Sequence, residues 1–373
     1  MHKCNIIVVF VLTFCVSFDA LVNAQLPGDW PPPGAIPSPK PEWLDLVDLS
    51  KVADAPVATS ELANCNDDQW CTWQCTGCVG PNDIVHCPES GDWGLTFDDG
   101  PSENTPKLLD ELDLLDTKAT FFVIGSQVVQ FPDILKRAVD AGHEIGLHTW
   151  THPHLTQLTT EQVIAELKWT ELAIKTAVGV TPKIIRPPFG DYDDRIRDIA
   201  AQLGYRIVLW DLDTEDYLQQ DNSTFDPTEL SNLFKGWVKL NTTNGHVSLN
   251  HDLFLPGIIA TPESVNNIKA GGFTLKPVSE CNGLPPYLES DPVGNATTTD
   301  NSTYNAGTST TSTYPTSVDA AATDITGTAS AADGPIATDL SQSNISAATS
   351  IYLVYARLLL LITLAVSSAM LVL

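Results

Sequence analysis

Short apolar runs alternate with amphipathic stretches from Gly94 to Lys276. The runs have the length and composition of β-strands, and the stretches between them have helical spacing. Strict alternation of strand and helix predicts a parallel sheet, either open or closed as a barrel. The predicted strands are Gly94–Phe97, Ala119–Ile124, His143–Leu147, Lys183–Arg186, Tyr205–Trp210, Gly245–Asn250 and Gly272–Lys276.

Helices are predicted between these strands from their start signals. Thr105-Pro106 opens the first, Pro132 opens the second, and Thr159 or Thr160 caps a third that ends at Val178. In parallel α/β sheets, open or closed, functional residues gather at the carboxyl ends of the strands. The remaining predicted helices are Asp193–Leu203, Pro227–Leu240 and Pro262–Ala270.

The two ends of the chain differ from this central part. Residues 1–24 combine a basic start, an apolar run and a small-residue cleavage site, which predicts a secretory signal peptide. Residues 282–350 are rich in Ser, Thr, Ala and Asp and predict a disordered, O-glycosylated stalk. The apolar tail 351–373 predicts a removable signal for glycosylphosphatidylinositol (GPI) attachment. A transmembrane anchor is the alternative, although the tail is short for a span and contains Arg357.

Between these ends we expect a Pro-rich lead-in at 25–64, a Cys-rich cap at 65–92 and a catalytic domain at 93–281. An even number of cysteines in a secreted chain predicts three disulfides, with 15 possible pairings. Among these pairings, Cys87 with Cys281 is our guess, since it would clasp the two ends of the domain. A zinc knuckle in the cap is disfavoured by the oxidising compartment. Trp70 and Trp73 fill the core of the cap or, alternatively, stack on sugar rings. The cysteines of the mature chain are Cys65, Cys71, Cys75, Cys78, Cys87 and Cys281.

The formal net charge of −27 and the isoelectric point near 4.3 argue against nucleic acid as a partner. An acidic surface suits a soluble extracellular protein, or attraction to a polycation. Asn-x-Ser/Thr sequons agree with passage through a secretory pathway. They begin at Asn222, Asn241, Asn295, Asn301 and Asn344.

Two adjacent carboxylates, Asp98 and Asp99, follow the first predicted strand and precede Gly100-Pro101. Neighbouring side chains at a strand end point in different directions. One Asp can therefore bind a metal while the other takes a proton from water on that metal. A solvated turn without chemistry is the alternative for this motif taken alone.

Two histidines four residues apart, His148 and His152, follow the third predicted strand. Two histidines and one carboxylate leave coordination positions open for water and substrate, as catalytic zinc requires. Polar loop residues without a metal are the alternative. His143 is excluded because the length of the strand places it about 16 Å from His148. His154, beyond Pro153, is expected at the surface.

Three more strand ends carry reactive groups. Arg186 precedes a rigid Pro-Pro-Phe-Gly loop whose backbone N–H groups can receive an oxyanion, and the arginine can pair with a carboxylate. Asp216 lies in an acidic loop, and His251 ends the following strand. A histidine paired with a carboxylate is held protonated and can act as a general acid. Each of these has an alternative without chemistry: a structural Arg–Asp tie for Arg186, a solvated acidic loop for Asp216 and a structural histidine for His251.

Together these motifs resemble the polysaccharide deacetylases of carbohydrate esterase family 4 (the NodB homology domain), and among them most closely the fungal chitin deacetylases. The resemblance covers about Trp93 to Lys276. Phe189 stands where tyrosine is commoner in the family, and Tyr217 where tryptophan is usual. The motifs are TFDDGP at Thr96–Pro101, HTWTHP at His148–Pro153, RPPFGD at Arg186–Asp191, DTEDY at Asp213–Tyr217 and VSLNH at Val247–His251.

The resemblance implies a distorted, incomplete (β/α) barrel of about seven parallel strands and a role for each motif residue. Asp98 is expected to be the catalytic base, tuned by Arg186. His251 is expected to be the catalytic acid, oriented by Asp216. The expected metal ligands are Asp99, His148 and His152, and the residues expected at the substrate or oxyanion are Phe189 (through its N–H), Leu249, Tyr217 and Trp150.

The implied reaction is metal-dependent hydrolysis of N-acetyl groups of chitin and chito-oligosaccharides, which gives acetate and the cationic polymer chitosan. One divalent metal is expected, Zn²⁺ first and Co²⁺ as an option. We expect a monomer, tethered to the lipid bilayer by a GPI anchor at the outer face of the plasma membrane and the cell wall. Acetylated xylan or peptidoglycan as substrate, and a non-catalytic wall-binding mannoprotein, are the alternatives.

Overall fold

The computed structural model describes residues 25–60, 65, 69–219 and 226–290, and these belong to one compact unit. Among these residues, none of the helices has both the length and the apolar character needed to cross a bilayer. The predicted signal peptide, the GPI tail and nearly all of the predicted stalk lie outside the described residues. So do four of the five sequons, at Asn222, Asn295, Asn301 and Asn344.

Eight parallel strands form a single sheet in the described part of the chain. All seven predicted strands are present. The two-residue strand β6 was not predicted because Leu212 stands alone between Asp211 and Asp213, so no apolar run marks a strand there. Along the sheet the strand order is β5-β4-β3-β2-β1-β7-β6, and β8 pairs with β1 outside this path. The strands are β1 (Asp92–Asp98), β2 (Thr120–Val123), β3 (Glu144–Leu147), β4 (Ile184–Ile185), β5 (Arg206–Ile207), β6 (Leu212–Asp213), β7 (His246–His251) and β8 (Thr274–Lys276).

The sheet is curled into an incomplete barrel because its two edge strands are close neighbours in sequence. Strands β5 and β6 lie at opposite ends of the strand order. A flat sheet would separate them by about 29 Å, at about 4.8 Å for each strand spacing. The chain from Ile207 to Leu212 spans at most about 18 Å when fully extended. The edges must therefore approach each other, which confirms the predicted incomplete barrel.

Ten α-helices are assigned in the described residues. The predicted helices are present, and Thr159 caps α6 in a reciprocal capping box with Gln162. The short helix α4 was not predicted. The helices are α1 (Pro41–Leu44), α2 (Trp73–Thr76), α3 (Thr105–Leu114), α4 (Gly125–Gln130), α5 (Pro132–Asp140), α6 (Thr160–Val178), α7 (Asp194–Gln202), α8 (Pro227–Trp237), α9 (Leu255–Ala270) and α10 (Val278–Cys281).

The predicted start of α9 at Pro262 was wrong. The helix begins at Leu255, has a proline in its first turn, and continues through Pro262. A proline inside a helix costs about 3 kcal/mol because it removes one backbone hydrogen bond and crowds the preceding turn. Here Ile258, Val265 and Ile268 are fully buried along α9, so tertiary packing outweighs the local penalty.

The Pro-rich lead-in packs on the catalytic domain instead of extending away from it. Trp30 stacks on Trp150 with ring centroids 6.1 Å apart, and Trp43 meets the edge of Trp169 on α6 at 5.1 Å. At the other end, the Tyr287 hydroxyl accepts a hydrogen bond from the Ile145 N–H at 3.0 Å. Residues up to 290 therefore belong to the folded unit, which overlaps the first residues of the predicted stalk.

Three disulfides link the six described cysteines: Cys65–Cys75, Cys71–Cys78 and Cys87–Cys281. The last is the expected clasp, and the disulfides of the cap leave no thiolates for a zinc knuckle. Trp73 packs edge-on against Trp210 at 4.8 Å, between the cap and the barrel. Its position agrees with the core-filling role favoured from the sequence.

The clasp should stabilise the fold more than the small disulfides of the cap. It closes a loop with a sequence separation of 194, against 7 for Cys71–Cys78. Loop-closure entropy in the unfolded chain predicts a loss of about 5 kcal/mol on removing the clasp with Cys87→Ala/Cys281→Ala. The same arithmetic predicts about 2 kcal/mol for Cys71→Ala/Cys78→Ala. Urea unfolding of the two variants measures both losses, and equal losses would contradict this account.

Candidate active site

The carboxyl ends of adjacent strands bring the predicted reactive groups to one edge of the sheet. Asp98, the last residue of β1, is in register with His251, the last residue of β7. On the other side of β1, Leu147 of β3 pairs with Val123 of β2, so His148 emerges at the same edge. Arg186 directly follows β4, whose Ile185 pairs with Leu147. This convergence is a consequence of parallel pairing.

Asp99, His148 and His152 form a group that could hold a metal ion, with ligand atoms all within 4.8 Å of one another. Asp99 Oδ1 lies 3.3 Å from His152 Nε2 and 3.5 Å from His148 Nε2. Asp99 Oδ1 is buried without a hydrogen-bond partner. An orphaned carboxylate oxygen facing two imidazole nitrogens fits a divalent cation, since an unsatisfied buried acceptor is otherwise costly.

The ring of His148 is oriented by a backbone carbonyl. Its Nδ1 lies 2.8 Å from the Arg186 carbonyl oxygen, which can only accept a hydrogen bond. Nδ1 therefore carries the proton, and the lone pair of Nε2 faces Asp99. A partner behind the imidazole that fixes the tautomer in this way is the usual arrangement for a metal-binding histidine.

The protonation states in this group also suit a metal. Burial lowers the pKa of His152 to about 4, so the ring is neutral at physiological pH. Burial by itself would raise the pKa of Asp99, but the contact with His148 and the charges of nearby histidines hold it well below its usual range. An ionised carboxylate and a neutral imidazole are ligand forms that a divalent cation requires.

Asp98 is bound to a fully buried guanidinium. Arg186 Nη1 donates to Asp98 Oδ1 at 2.8 Å and to Thr96 Oγ1 at 2.6 Å, and Nη2 donates to the Leu209 carbonyl at 2.9 Å. The guanidinium also lies over the Phe122 ring at 4.2 Å. Arg186 thus occupies Oδ1 of Asp98. The other carboxylate oxygen, Oδ2, faces the Asp99, His148 and His152 group and lies 3.7 Å from His148 Nε2.

His251 is held in its protonated form by Asp216. Its Nδ1 lies 2.6 Å from Asp216 Oδ1, and its backbone N–H donates to Asp216 Oδ2 at 3.0 Å. Burial alone would lower the pKa of His251, but the hydrogen bond and charge of Asp216, together with Asp99 and Asp98, raise it to about 9. A buried imidazolium beside a carboxylate is a proton donor at neutral pH.

The aromatic side chain of the loop after β4 contacts two histidines. Phe189 has a positive φ of 59°, and its ring is half exposed. The ring stacks on His154 at 4.1 Å and meets the edge of His152 at 4.6 Å. His154 is partly buried by this contact, whereas the sequence had suggested a surface residue.

Backbone strain is concentrated around these groups. Among the described non-glycine residues, positive φ occurs at Asp99 (80°), Thr149 (66°), His152 (61°), Phe189 (59°) and Glu215 (49°), all in the loops of the site. Only Cys71 and Asp116 share this property elsewhere in the described chain. Left-handed backbone at non-glycine residues is costly and persists where surrounding contacts fix it, as happens at functional sites.

Trp150 was expected at the substrate, yet other residues of the chain cover its side chain. The side chain is fully buried and packs between Trp30 and Trp169. Strict alternation would place Trp150 on the same side as His148 and His152, but the positive φ of Thr149, 66°, interrupts it. Leu249 is buried on β7, and the exposed Tyr217 meets the edge of His251 at 5.6 Å. Their contact with a substrate stays a prediction.

Two buried carboxyl groups near the site were not singled out from the sequence. Glu166 on α6 accepts the N–H groups of Trp150 and Thr151 at 2.7 and 2.8 Å and so fixes the histidine loop. Asp252 directly follows His251, and burial raises its pKa to about 7. Glu166 lies on a helix with no motif to mark it. Asp252 had one signal, its position beside His251.

Comparison with known proteins agrees with this geometry. A family model described as polysaccharide deacetylase matches residues 86–208. Chitin deacetylase 1 of Cryptococcus neoformans is 38% identical over 280 residues, which is 69% of this chain and 59% of that protein. Chitin deacetylase 1 of Saccharomyces cerevisiae is 33% identical over 250 residues, covering 66% of this chain and 78% of the yeast protein. The chain belongs to the polysaccharide deacetylase family.

Solved structures of the family share the fold. The chitin deacetylase from the fungal pathogen Colletotrichum lindemuthianum superposes with a TM-score of 0.51 at 31% identity, covering 55% of this chain and 94% of the other. A peptidoglycan N-acetylglucosamine deacetylase gives a TM-score of 0.50 at 29% identity, with the same coverage. The chain spans between half and three-fifths of the length of the first curated relatives, at 52% to 59%.

Removing Arg186 should strongly destabilise the family fold in this chain. In Arg186→Met the buried Asp98 loses its guanidinium partner. Breaking a buried ion pair in this way lowers the free energy of unfolding by about 3–5 kcal/mol. The double variant Arg186→Met/Asp98→Asn should recover part of that loss because neither charge remains. Urea unfolding of the metal-free proteins measures both values. A single-variant loss below about 1 kcal/mol would show that the pair is not a structural tie.

The ionisation of His251 should be visible by NMR. In metal-free protein the His251 Hε1 resonance should titrate with a midpoint of about 9. Asp216→Asn should lower the midpoint, because it removes the hydrogen bond and the charge that contribute most to raising the pKa of His251 against burial. The His251–Asp216 pair makes its full contribution to the stability of the fold below about pH 6.5. This contribution is lost as the pH rises through about 9. Asp133→Asn, the same change on the exposed face of α5, is the control and should leave the midpoint unchanged.

Proposed function

We propose that this protein removes N-acetyl groups from chitin and releases acetate and chitosan. The observation that carries the proposal is the meeting of three elements at one strand edge. These are the Asp99, His148 and His152 group, the Asp98–Arg186 pair and the His251–Asp216 pair. A metal site, a base and a protonated acid are the parts that hydrolysis of an amide requires. Relatives named as chitin deacetylases support the choice of substrate.

Asp99, His148 and His152 would hold one divalent cation. Two imidazoles and a carboxylate suit Zn²⁺, and Co²⁺ accepts the same ligands. When bound, the ion supplies Lewis-acid activation of water and of the acetyl carbonyl. Partial burial of the group lowers the local dielectric, so its charges act more strongly on a substrate than they would in water.

Asp98 acts as the general base through Oδ2. Arg186 holds Oδ1, so the free oxygen is the one turned toward the metal group. Oδ2 takes a proton from the attacking water as the water oxygen forms a bond to the acetyl carbon. The Phe189 N–H, in a loop with restricted backbone freedom, donates to the oxyanion that develops on the carbonyl oxygen.

His251 acts as the general acid. Asp216 occupies Nδ1, so the proton on Nε2 is the one available for transfer. That proton passes to the departing amine nitrogen as the C–N bond breaks, which leaves acetate and a free glucosamine unit. Leu249 and Tyr217 line the wall beside the acid and contact the acetyl methyl and the sugar.

For location, we propose secretion followed by GPI attachment at the outer face of the plasma membrane and in the cell wall, with the enzyme acting as a monomer. The three disulfides support an oxidising compartment. The GPI part of this proposal comes from the sequence pattern of the tail alone.

The decisive test is acetate release from chitin oligomers. Activity should disappear after treatment with a chelator and return with Zn²⁺ or Co²⁺. Asp98→Asn should lower kcat by about 10²- to 10⁴-fold, the usual contribution of a general base. Asp133→Asn, on the exposed face of α5, is the matched control and should leave kcat unchanged.

Two results would overturn the proposal. Full activity of Asp98→Asn would remove the assigned base, and activity that survives complete chelation would remove the metal. Parallel assays on acetylated xylan and on peptidoglycan test the substrate. Faster acetate release from either of these than from chitin oligomers would reassign the substrate while keeping the chemistry.

A further inference from the structure

Asp252 is a buried acidic residue beneath the site that the mechanism above does not use. It is 1% exposed and follows the proposed acid His251. Its backbone N–H donates to the Asp98 carbonyl at 3.2 Å. Its own carbonyl accepts a hydrogen bond from Ser102 Oγ at 2.8 Å. The backbone of Asp252 is therefore tied to both sides of the Asp98–Pro101 turn.

The side chain of Asp252 makes a further tie to the start of α3. Thr105 Oγ1 donates to Asp252 Oδ2 at 2.5 Å, and the same hydroxyl accepts the Ser102 N–H at 2.8 Å. Thr105 is the first residue of α3. The carboxylate thus links the end of β7 to the helix that follows the turn.

The carboxylate also lies directly against Gly100. A Cβ at Gly100 would overlap both oxygens and the carboxyl carbon of Asp252. Gly100 does not have a positive φ, so its small size answers a steric need at this contact and not a conformational one. The residue before it, Asp99, holds the strained φ of 80°. Asp252 is therefore packed against the segment that carries a proposed metal ligand.

The position is a poor choice for stability alone. Asp252 Oδ1 has no hydrogen-bond partner, and the charges of Asp98 and Asp99 act on the same carboxyl group. A buried acceptor without a partner, placed near like charges, costs free energy that an apolar side chain of similar volume would not. Costs of this kind are typical of functional sites.

We propose that Asp252 is a positioning residue that holds the Asp99-Gly100 segment so that the Asp99 carboxylate faces His148 and His152. It acts on the metal group through Thr105 Oγ1 and through its contact with Gly100. This inference rests on the proposed metal-dependent function and deepens it. Removing a residue that orients the metal ligands from behind usually lowers metal affinity by about 10- to 100-fold.

The test measures Zn²⁺ affinity of the folded full-length chain by competition with a chelating dye. Asp252→Ala removes both contacts and should weaken Zn²⁺ binding by about 10- to 100-fold. Asp252→Asn keeps an oxygen for Thr105 and fills the same space, so its affinity should stay within about threefold of wild type. The absorption spectrum of bound Co²⁺ should change in Asp252→Ala and not in Asp252→Asn.

A second pair of variants gives the same readout if Asp252→Ala does not fold. Thr105→Val removes the donor while keeping the shape and should weaken Zn²⁺ binding, whereas Thr105→Ser keeps the hydroxyl and should not. Wild-type affinity in the Asp252→Ala and Thr105→Val variants that fold would overturn the inference. Equal losses in Asp252→Asn and Asp252→Ala would also overturn it, because charge and not position would then matter.

A separate control distinguishes failure of the inference from failure of the proposed function. His152→Ala removes a proposed ligand and should abolish the Zn²⁺ site. If wild type and His152→Ala bind Zn²⁺ equally, the metal site itself is wrong and the inference falls with it. If His152→Ala loses the site while Asp252→Ala keeps full affinity, only the positioning role is wrong.

Discussion

A single buried guanidinium joins the parts of this site. Arg186 spans the interior of the half-barrel from the end of β4 to Asp98 on β1, and it also binds the carbonyl of Leu209. Its own carbonyl fixes the ring of His148. A buried cation must be surrounded by acceptors, because an unpaired charge in a low dielectric is very costly. Satisfying Arg186 therefore positions Asp98, the proposed base, and one of the candidate ligands at once.

The curl of the sheet makes this arrangement possible. The connection between the edge strands β5 and β6 is short, so the sheet must curl to bring these edges together. Residues from strands far apart in the sheet order therefore face a common interior. Parallel pairing then places every reactive side chain at the same edge. The loops that complete the site are strained at Asp99, Thr149, His152 and Phe189, and the surrounding packing holds them.

The two carboxylates that flank the metal group have different partners. Asp98 is bound to a guanidinium, which keeps its proton throughout the physiological range. Asp216 is bound to an imidazole, whose pKa it helps to raise to about 9. One pair can thus accept a proton while the other donates one. Groups whose surroundings separate their proton affinities are what acid–base catalysis requires.

The sequence alone determined the parallel α/β fold, its seven main strands and the motif residues. Periodicity and short motifs are local, so they can be detected without a structure. Tertiary packing alone decided that α9 continues through Pro262, that Trp150 is buried beneath Trp30, and that Asp252 lies under the turn. Each of these depends on contacts between segments distant in sequence, and no local pattern encodes which side chain a distant segment will cover.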